Sequence, residues 1–341
     1  MGTGDAVGGV EVPPGLAWHY TDGPGLVAIL ASHTLWATAA PFLNDRQEVA
    51  LGGRMIVERI LQLAADRDAE LAATLADRVR EATEHGQGPG AASAYILSAS
   101  HSADSLAMWR LYGGAHESYA IGLDPTVDLV ALTSREVELP LGRADGVYLR
   151  RHGWRPVRYA REEQVALVDS ALELLGDLPS ALSGLARPAA RTEPAPGDPG
   201  RVEDGRAADA RAGLGSSLEP FFEALHEALM LIKHEGFVDE REIRYSALLL
   251  TRPDLAGRSA EASLLSYRSS AYGIAPYLRL TGPEPQRPEA VVTARPSPLP
   301  VRAVAVSPSP NGPEASTSVR QLLLRHGYDV PVVRSAIPFR G

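Results

Sequence analysis

The segment from Lys233 to Arg244 brings together side chains suited to acid–base chemistry. Lys233 is the only lysine in the chain, and every other member of the 33 Lys+Arg residues is an arginine. A compact ammonium and a broad planar guanidinium do not replace each other in tight sites. We interpret Lys233 as meeting a requirement that arginine does not meet, and chance placement is the alternative.

After Lys233, the residues Glu240, Glu242 and Arg244 alternate along a segment that we predict to be extended. Alternate side chains of an extended chain point to one face, so these three are expected to lie together. Two adjacent carboxylates repel, which raises the pKa of one of them unless Arg244 or Lys233 compensates. Such a carboxylate can orient a hydroxyl group or accept a proton. The alternative is a charge ladder on a solvated face.

A second polar group, His19-Tyr20-Thr21, ends the first predicted strand, over residues 16–20. A helix is predicted to begin at Thr21-Asp22-Gly23-Pro24, with a capping side chain ahead of a first-turn proline. The free N–H groups of a helix N-terminus make this a good place to contact a polar ligand. The alternative is a structural histidine whose ring bonds a backbone carbonyl.

A third group combines hydroxyl and aromatic side chains. Ser98 and Ser100 share one face of a predicted strand. Trp109 and Tyr112 lie one helical turn apart and can form an aromatic wall that stacks on a flat heterocycle, although an ordinary core suits Trp109 better. The neighbouring Ser100-His101 pair lacks the Gly-x-Ser-x-Gly frame of a hydrolase elbow.

A fourth group is Asn44-Asp45 with Glu48. Asp45 and Glu48 have the spacing of a capping box, in which a good cap is worth about 1 kcal/mol. We interpret both as helix caps and leave Asn44 open between capping and ligand binding.

Composition predicts a globular protein of 341 residues, with a hydrophobic content of 45%. The formal net charge of -9 argues against non-specific binding to nucleic acid or anionic lipid. The chain has no cysteine, so disulfides and thiolate metal sites are excluded. No signal peptide, myristoylation signal or long apolar run is found, and a cytoplasmic protein without a membrane span is therefore expected.

The order of elements predicts a single α+β domain over residues 15–341, with mixed or antiparallel sheets flanked by helices. Residues 1–14 are predicted to be a disordered lead, residues 187–215 a disordered insertion, and residues 282–300 a Pro-rich loop. Strands are predicted at 16–20, 34–38, 94–98, 118–123, 147–159, 242–250, 301–306 and 330–334. Helices are predicted at 21–32, 45–84, 104–112, 162–185, 218–234 and 313–327.

In this order, the motifs resemble an uncharacterised bacterial family, domain of unknown function 2971. The resemblance spans nearly the whole chain, apart from the insertion. It is carried by HYT at 19–21, Asn44-Asp45 with Glu48, Ser98 with Ser100, Trp109 with Tyr112, Lys233, the E-x-E-x-R segment at 240–244, and Ser335, Pro338 and Arg340.

The opening WHYTDGPGLVAILASHTLWAT is also similar to the first strand and helix of ADP-ribosyltransferase-like proteins. That resemblance implies an ADP-ribosyltransferase-like fold and NAD as cofactor. It implies that His19 meets the ribose, that Tyr112 or Tyr119 holds nicotinamide, and that Glu242 is catalytic with Glu240 beside it. A fixed carboxylate would stabilise the oxocarbenium-like centre that forms when the nicotinamide–ribose bond breaks.

We therefore expect an NAD-binding enzyme that acts as a toxin or defence effector on an unknown macromolecular acceptor or partner protein. The predicted cofactor-binding residues are His19, Tyr20, Thr21, Asn44, Ser98, Ser100, Trp109, Tyr112, Lys233 and Arg244, and no metal is expected.

Two alternatives remain. One is a non-catalytic sensing module in stress or phage defence that uses the same pocket for a small nucleotide ligand. The other is a metal-dependent hydrolase built on His19, His101 and Asp104, for which the spacing gives little support.

Overall fold

The described part of the chain groups into two compact units in the computed structural model. A sheet unit is drawn from Met1–Asn44, Ala92–Val157 and His234–Gly341, and a helical unit from Asp45–Ala91 and Arg158–Lys233. The structure describes residues 5–7, 10–43, 47–64, 72–73, 75–77, 79–80, 92–112, 117–134, 147–174, 220–221, 223–251, 263–270 and 273–338.

Twelve of the described strands form one mixed sheet, and the first two strands form a separate antiparallel pair. The strands are β1 Asp5–Val7, β2 Val10–Val12, β3 Ala17–Asp22, β4 Leu35–Ala39, β5 Ala92–Ser100, β6 Ser118–Leu123, β7 Val130–Leu132, β8 Val147–Pro156, β9 Glu242–Thr251, β10 Leu265–Ser270, β11 Gly273–Thr281, β12 Val292–Thr293, β13 Val301–Val306 and β14 Val332–Arg334. The order along the large sheet is β12-β7-β11-β4-β5-β3-β6-β13-β14, with β10 beside β11, β9 beside β5, and β8 beside β9.

The helices and turns of the sheet unit lie between these strands. Asp22 caps the first helix by accepting a hydrogen bond from the Gly25 amide at 2.7 Å. The helices are α1 Gly23–Ser32, α3 Leu106–Tyr112 and α5 Gly312–Arg325, and two 3-10 turns span Ala40–Phe42 and Glu235–Glu240.

The two faces of the sheet have separate apolar clusters, as the period-two alternation of strands requires. The main core lies on one face and includes Leu97, Ile121 and Tyr245, with residues of α1 and α5 packed in the same cluster. The opposite face has a smaller cluster around Trp18 and Tyr20, which includes Met108 and Trp109 of α3. We call these the α1 face and the α3 face.

The helical unit contains α2 Gln47–Ala64, α4 Arg161–Glu173 and helical residues at 220–221 and 223–231. Its own apolar cluster includes Ile56, Val168 and Leu225. A bidentate pair joins Arg59 of α2 to Asp169 of α4, with nitrogen–oxygen distances of 2.5 and 2.9 Å. No described helix is both long enough and apolar enough to cross a membrane.

Several sequence-based predictions need correction. The lead is not structureless, because β1 and β2 pair antiparallel from Asp5↔Val12 to Val7↔Val10. The hairpin of β10 and β11 was not predicted. Residues 187–215 lie outside the described residues.

The close approach of Trp18 to Gly122 generates a test of the packing. A Cβ atom on Gly122 would come within 2.9 Å of Leu16 Cδ1 and of Trp18 Cζ3. We expect Gly122→Ala to lower the free energy of unfolding by about 1–3 kcal/mol through overpacking, measured by urea denaturation. The matched control is Gly23→Ala, whose Cβ would meet Tyr119 Cε2 at an ordinary 3.8 Å. Equal stability of the two variants would contradict the packing described.

Candidate functional site

Strand β5 changes partner along one of its edges, and this opens a split in the sheet. On that edge Tyr95 and Ile96 pair with β4, whereas Ser100 pairs with Trp18 of β3. Among the described residues, the intervening 97–99 have no strand partner there. The other edge of β5 pairs with β9 along its whole length, from Ala92↔Leu250 to Ser100↔Glu242.

His19 lies beside this split. Its Nδ1 atom is 3.0 Å from the carbonyl oxygen of Ser98, and a carbonyl only accepts, so Nδ1 carries the proton. This is the backbone bond that the structural alternative predicted. Burial lowers the pKa of His19, and the bond to Ser98 opposes that shift only in part. The ring is therefore neutral at pH 7, which leaves Nε2 with an acceptor lone pair.

Glu242 and Arg244 form a buried ion pair at the start of β9. Arg244 Nε donates to Glu242 Oε1 at 2.8 Å and Nη2 donates to Oε2 at 2.9 Å. Their side chains are 4% and 3% exposed. Both oxygens of the predicted catalytic carboxylate are thus engaged by one guanidinium, and the solvated charge ladder considered from sequence is wrong for this pair.

Glu240 does not belong to strand β9. The prediction that Glu240, Glu242 and Arg244 alternate along one extended segment is therefore wrong for Glu240. It ends the 3-10 turn Glu235–Glu240, and the next residue, Arg241, adopts a left-handed conformation with φ 44°. Glu240 is itself buried. A non-glycine residue with positive φ is uncommon and costs of order 1–3 kcal/mol, so the surrounding structure must hold it in place.

Ser100 and the backbone of His101 hold this turn. The Ser100 hydroxyl is fully buried, donates to the Glu240 carbonyl at 2.7 Å and accepts from the Ser102 amide at 3.1 Å. The His101 amide donates to the Arg241 carbonyl at 2.9 Å. The predicted ligand contact from Ser100 is corrected to a structural bond, because its hydrogen-bonding capacity is used internally.

Tyr20 and Trp109, also predicted to bind a cofactor, are core residues. Their rings meet edge-on at a centroid distance of 4.5 Å. Tyr20 donates to the Ser102 carbonyl, and Trp109 Nε1 donates to Asp104 at 2.9 Å. Neither ring has a face available for a nicotinamide, since both residues are buried.

Asp104 is a residue whose role sequence reasoning missed. Besides Trp109, it accepts from the Ser335 hydroxyl at 2.6 Å and the Ala336 amide at 2.8 Å. One carboxylate thereby fastens the C-terminal segment to the beginning of α3. Ser335 in the C-terminal motif was the available signal, but a separation of 231 residues hid the pairing.

The register divides the remaining predicted residues between the two faces. His19 pairs with Ile121 of the main core, so His19 and Thr21 alternate to the α1 face. Ser98 pairs with Arg244, and both alternate to the α3 face. Tyr112 lies on α3, which packs against the 3-10 turn Glu235–Glu240, and it is 36% exposed. The residues proposed to bind and to catalyse are therefore not brought to one face.

Lys233 lies in the helical unit and is buried. Its amide donates to the Arg158 carbonyl at 3.1 Å, and Gln164 Nε2 donates to the Lys233 carbonyl at 2.8 Å. Gln164 Nε2 also donates to the Arg158 carbonyl at 2.8 Å, so one side chain binds the backbone of both Arg158 and Lys233. The sequence did not indicate this role of Gln164. That the ammonium faces Glu240, Glu242 or a ligand phosphate stays a prediction.

The metal-dependent alternative gains no support. Within the described residues there is no group of three or more potential metal ligands. The carboxylate of Asp104 is occupied by Trp109, Ser335 and Ala336. Asn44, Asp45 and Arg340, and the side chain of Glu48, lie outside what the structure describes.

Comparisons with known proteins add no identification. No protein-family model, curated protein or solved structure matches this chain. The two resemblances carried by the motifs stay predictions.

Removing one member of the buried ion pair should be costly. We expect Glu242→Gln to lower the free energy of unfolding by about 3–5 kcal/mol, because the buried Arg244 guanidinium loses the carboxylate that it binds through two nitrogens. The double variant Glu242→Leu with Arg244→Met should cost less than the sum of the single changes. The surface pair of Arg302 with Asp124 provides the control, since Arg302→Met should cost less than about 1 kcal/mol. Equal costs for Glu242→Gln and Arg302→Met would contradict this account.

The buried ring of His152 predicts how the stability of the fold depends on pH. Burial, followed by the charges of Arg150 and Arg155, lowers the pKa of His152 to about 4. A folded-state pKa below the unfolded value of about 6.5 stabilises the fold above pH 6.5, and this contribution is lost as the pH falls toward 4. Urea denaturation of His152→Gln should therefore show a smaller loss of stability between pH 7 and pH 4.5 than the parent. An unchanged difference across that range would exclude the effect.

Proposed function

We propose that this protein binds a nucleotide of the NAD type at the split where β5 leaves β4 and joins β3. The observation that carries the proposal is the anchored, neutral imidazole of His19. Its Nδ1 is fixed on the Ser98 carbonyl, so Nε2 is held as an acceptor in one orientation. A ribose hydroxyl is the donor that such an acceptor suits, which agrees with the ribose contact that the ADP-ribosyltransferase resemblance implies for this position.

Thr21 supplies a second polar group on the same face. Its hydroxyl lies close to the beginning of α1, where a Cβ on Gly25 would come within 2.0 Å of it. Glycine at position 25 is therefore what allows the strand end and the helix N-terminus to approach so closely. The carboxylate of Asp22 already caps this helix end, so the Thr21 hydroxyl is proposed to contact a hydroxyl group of the ligand rather than a phosphate.

Binding without transfer is the form of this function that the geometry supports best. Transfer of ADP-ribose requires a carboxylate beside the reacting ribose carbon. The carboxylate of Glu242 is engaged by Arg244 and alternates to the face opposite His19. We therefore propose a nucleotide-sensing module, for which bacterial stress or phage defence is the proposed setting.

ADP-ribosyl transfer is the second candidate, and the left-handed Arg241 favours it. Arg241 is a strained residue between the two buried carboxylates Glu240 and Glu242. Backbone strain of this kind concentrates at functional sites. In that case a macromolecular acceptor would exist, and NAD turnover would be detectable.

The test is calorimetric titration of the purified protein with NAD. His19→Asn keeps an amide donor for the Ser98 carbonyl but removes Nε2, and we expect it to weaken NAD binding about tenfold with little change in melting temperature. His326→Asn, at the end of α5, is the matched control and should bind like the parent.

Two outcomes would reject the binding proposal. One is the absence of NAD binding to the parent protein at millimolar ligand, and the other is equal affinity of His19→Asn and the parent. Nicotinamide release, followed in parallel by chromatography, separates the two candidates, because a sensing module releases none.

A further inference from the structure

A second polar and aromatic surface lies on the α3 face of the sheet, on strands β4, β10 and β11. Tyr277 pairs with Thr38 and with Ser266, and Arg279 pairs with Trp36. Directly paired residues of antiparallel strands share a face, and their Cβ atoms lie about 4.5–5.5 Å apart. We call this surface the Trp36 platform, and it comprises Trp36, Thr38, Arg268, Tyr277 and Arg279.

The aromatic part of the platform has an open ring. The rings of Trp36 and Tyr277 have centroids 4.6 Å apart and are inclined by 31°. Tyr277 is buried, whereas Trp36 is 47% exposed. A tryptophan that is held against a second ring and is still half exposed offers a rigid surface on which a flat heterocycle can stack.

Two arginines flank these rings without a carboxylate. Arg268 reaches across β11 and donates to the Thr38 hydroxyl at 3.3 Å, and Arg279 stands opposite Trp36. Neither arginine forms an ion pair with any described residue, and the described residues that share this face on the three strands include no acid. In a chain with a net charge of -9, two such arginines form a local basic site.

Both guanidinium groups are incompletely satisfied. The Nε atoms of Arg268 and Arg279 are buried and have no hydrogen-bond partner within the described part of the chain. Partial burial of an unpaired polar group costs free energy. An anion bound to the outer nitrogens of the same guanidinium would offset that cost, and phosphate matches the guanidinium fork geometrically.

We propose that the Trp36 platform binds a nucleoside monophosphate, with the base stacked on Trp36 and the phosphate held by Arg268 and Arg279. The ligand class follows from the combination of one open ring with two neighbouring cations. The net acidity of the chain disfavours a long polyanion, so a mononucleotide is the occupant rather than a nucleic acid strand. The site lies on the face opposite His19 and is independent of the proposed NAD site.

The experiment titrates AMP, adenosine, inorganic phosphate and a four-nucleotide RNA into the full chain by calorimetry. AMP is expected to bind at least about tenfold more tightly than adenosine or phosphate, because only AMP uses both the ring and the cations. AMP affinity should also fall as salt increases, which is measured on the parent protein and does not depend on any variant folding.

Three variants locate the site. Trp36→Leu and Arg279→Met should each weaken AMP binding at least about tenfold, since the first removes the ring on which the base stacks and the second removes a cation that holds the phosphate. Arg302→Met, an exposed arginine paired with Asp124, is the control and should leave AMP affinity unchanged. Circular dichroism checks that each variant is folded.

The outcomes that overturn the proposal are distinct from failure of the NAD proposal. AMP binding that is absent in the parent, insensitive to salt, or equal in Trp36→Leu and the parent would exclude the platform. AMP binding lost in His19→Asn but retained in Arg279→Met would assign AMP to the split instead. Tighter binding of the RNA than of AMP would replace the mononucleotide by a single strand.

Discussion

The sheet depends on a single constraint, the double pairing of β5. One edge of β5 is committed to β9 from Ala92 to Ser100, and the other edge is shared between β4 and β3. Because two strands cannot occupy the same length of one edge, they diverge where the partner changes. The unpaired carbonyl of Ser98 at that point needs a donor, and His19 provides it.

This constraint also separates the two kinds of chemistry that the chain contains. With the register fixed, His19 and Thr21 alternate to the α1 face, whereas Ser98, Ser100, Glu242 and Arg244 alternate to the α3 face. The buried Glu242–Arg244 pair lies within β9, and its two charges are matched to each other. A group that is buried and bidentate is a poor candidate for a free catalytic carboxylate, and a neutral histidine at a split edge is a better candidate for ligand contact.

Sequence patterns predicted the elements well wherever alternation or capping was strong. The bounds of β6 and β13 were predicted as observed, at 118–123 and 301–306, and the start of β9 at Glu242 was also predicted. The pair β1 and β2 was missed because each strand has three residues, too few to show a period. The hairpin of β10 and β11 was missed because its strands mix serine, arginine and tyrosine on one face and carry proline in β11.

The site was predicted less well, for reasons that are physical. Local alternation placed Glu240 on one extended face with Glu242 and Arg244, but the left-handed backbone at Arg241 breaks the period, and no residue-type signal marks a non-glycine residue in that conformation. The bonds of His19 to Ser98 and of Asp104 to Ser335 span 79 and 231 residues, so they follow from the tertiary fold alone. The Trp36 platform needs three strands in register, and two of these, β10 and β11, were not predicted at all.

The most direct measurement of the central claim is the imidazole ¹⁵N spectrum of His19, assigned by its disappearance in His19→Asn. The geometry predicts a neutral ring at pH 7 with the proton on Nδ1, and the proposed NAD site predicts an Nε2 resonance that shifts when NAD is added. A ring protonated on Nε2, or an Nε2 resonance unchanged at saturating NAD, would contradict the assignment of His19 as the anchored acceptor of the nucleotide site.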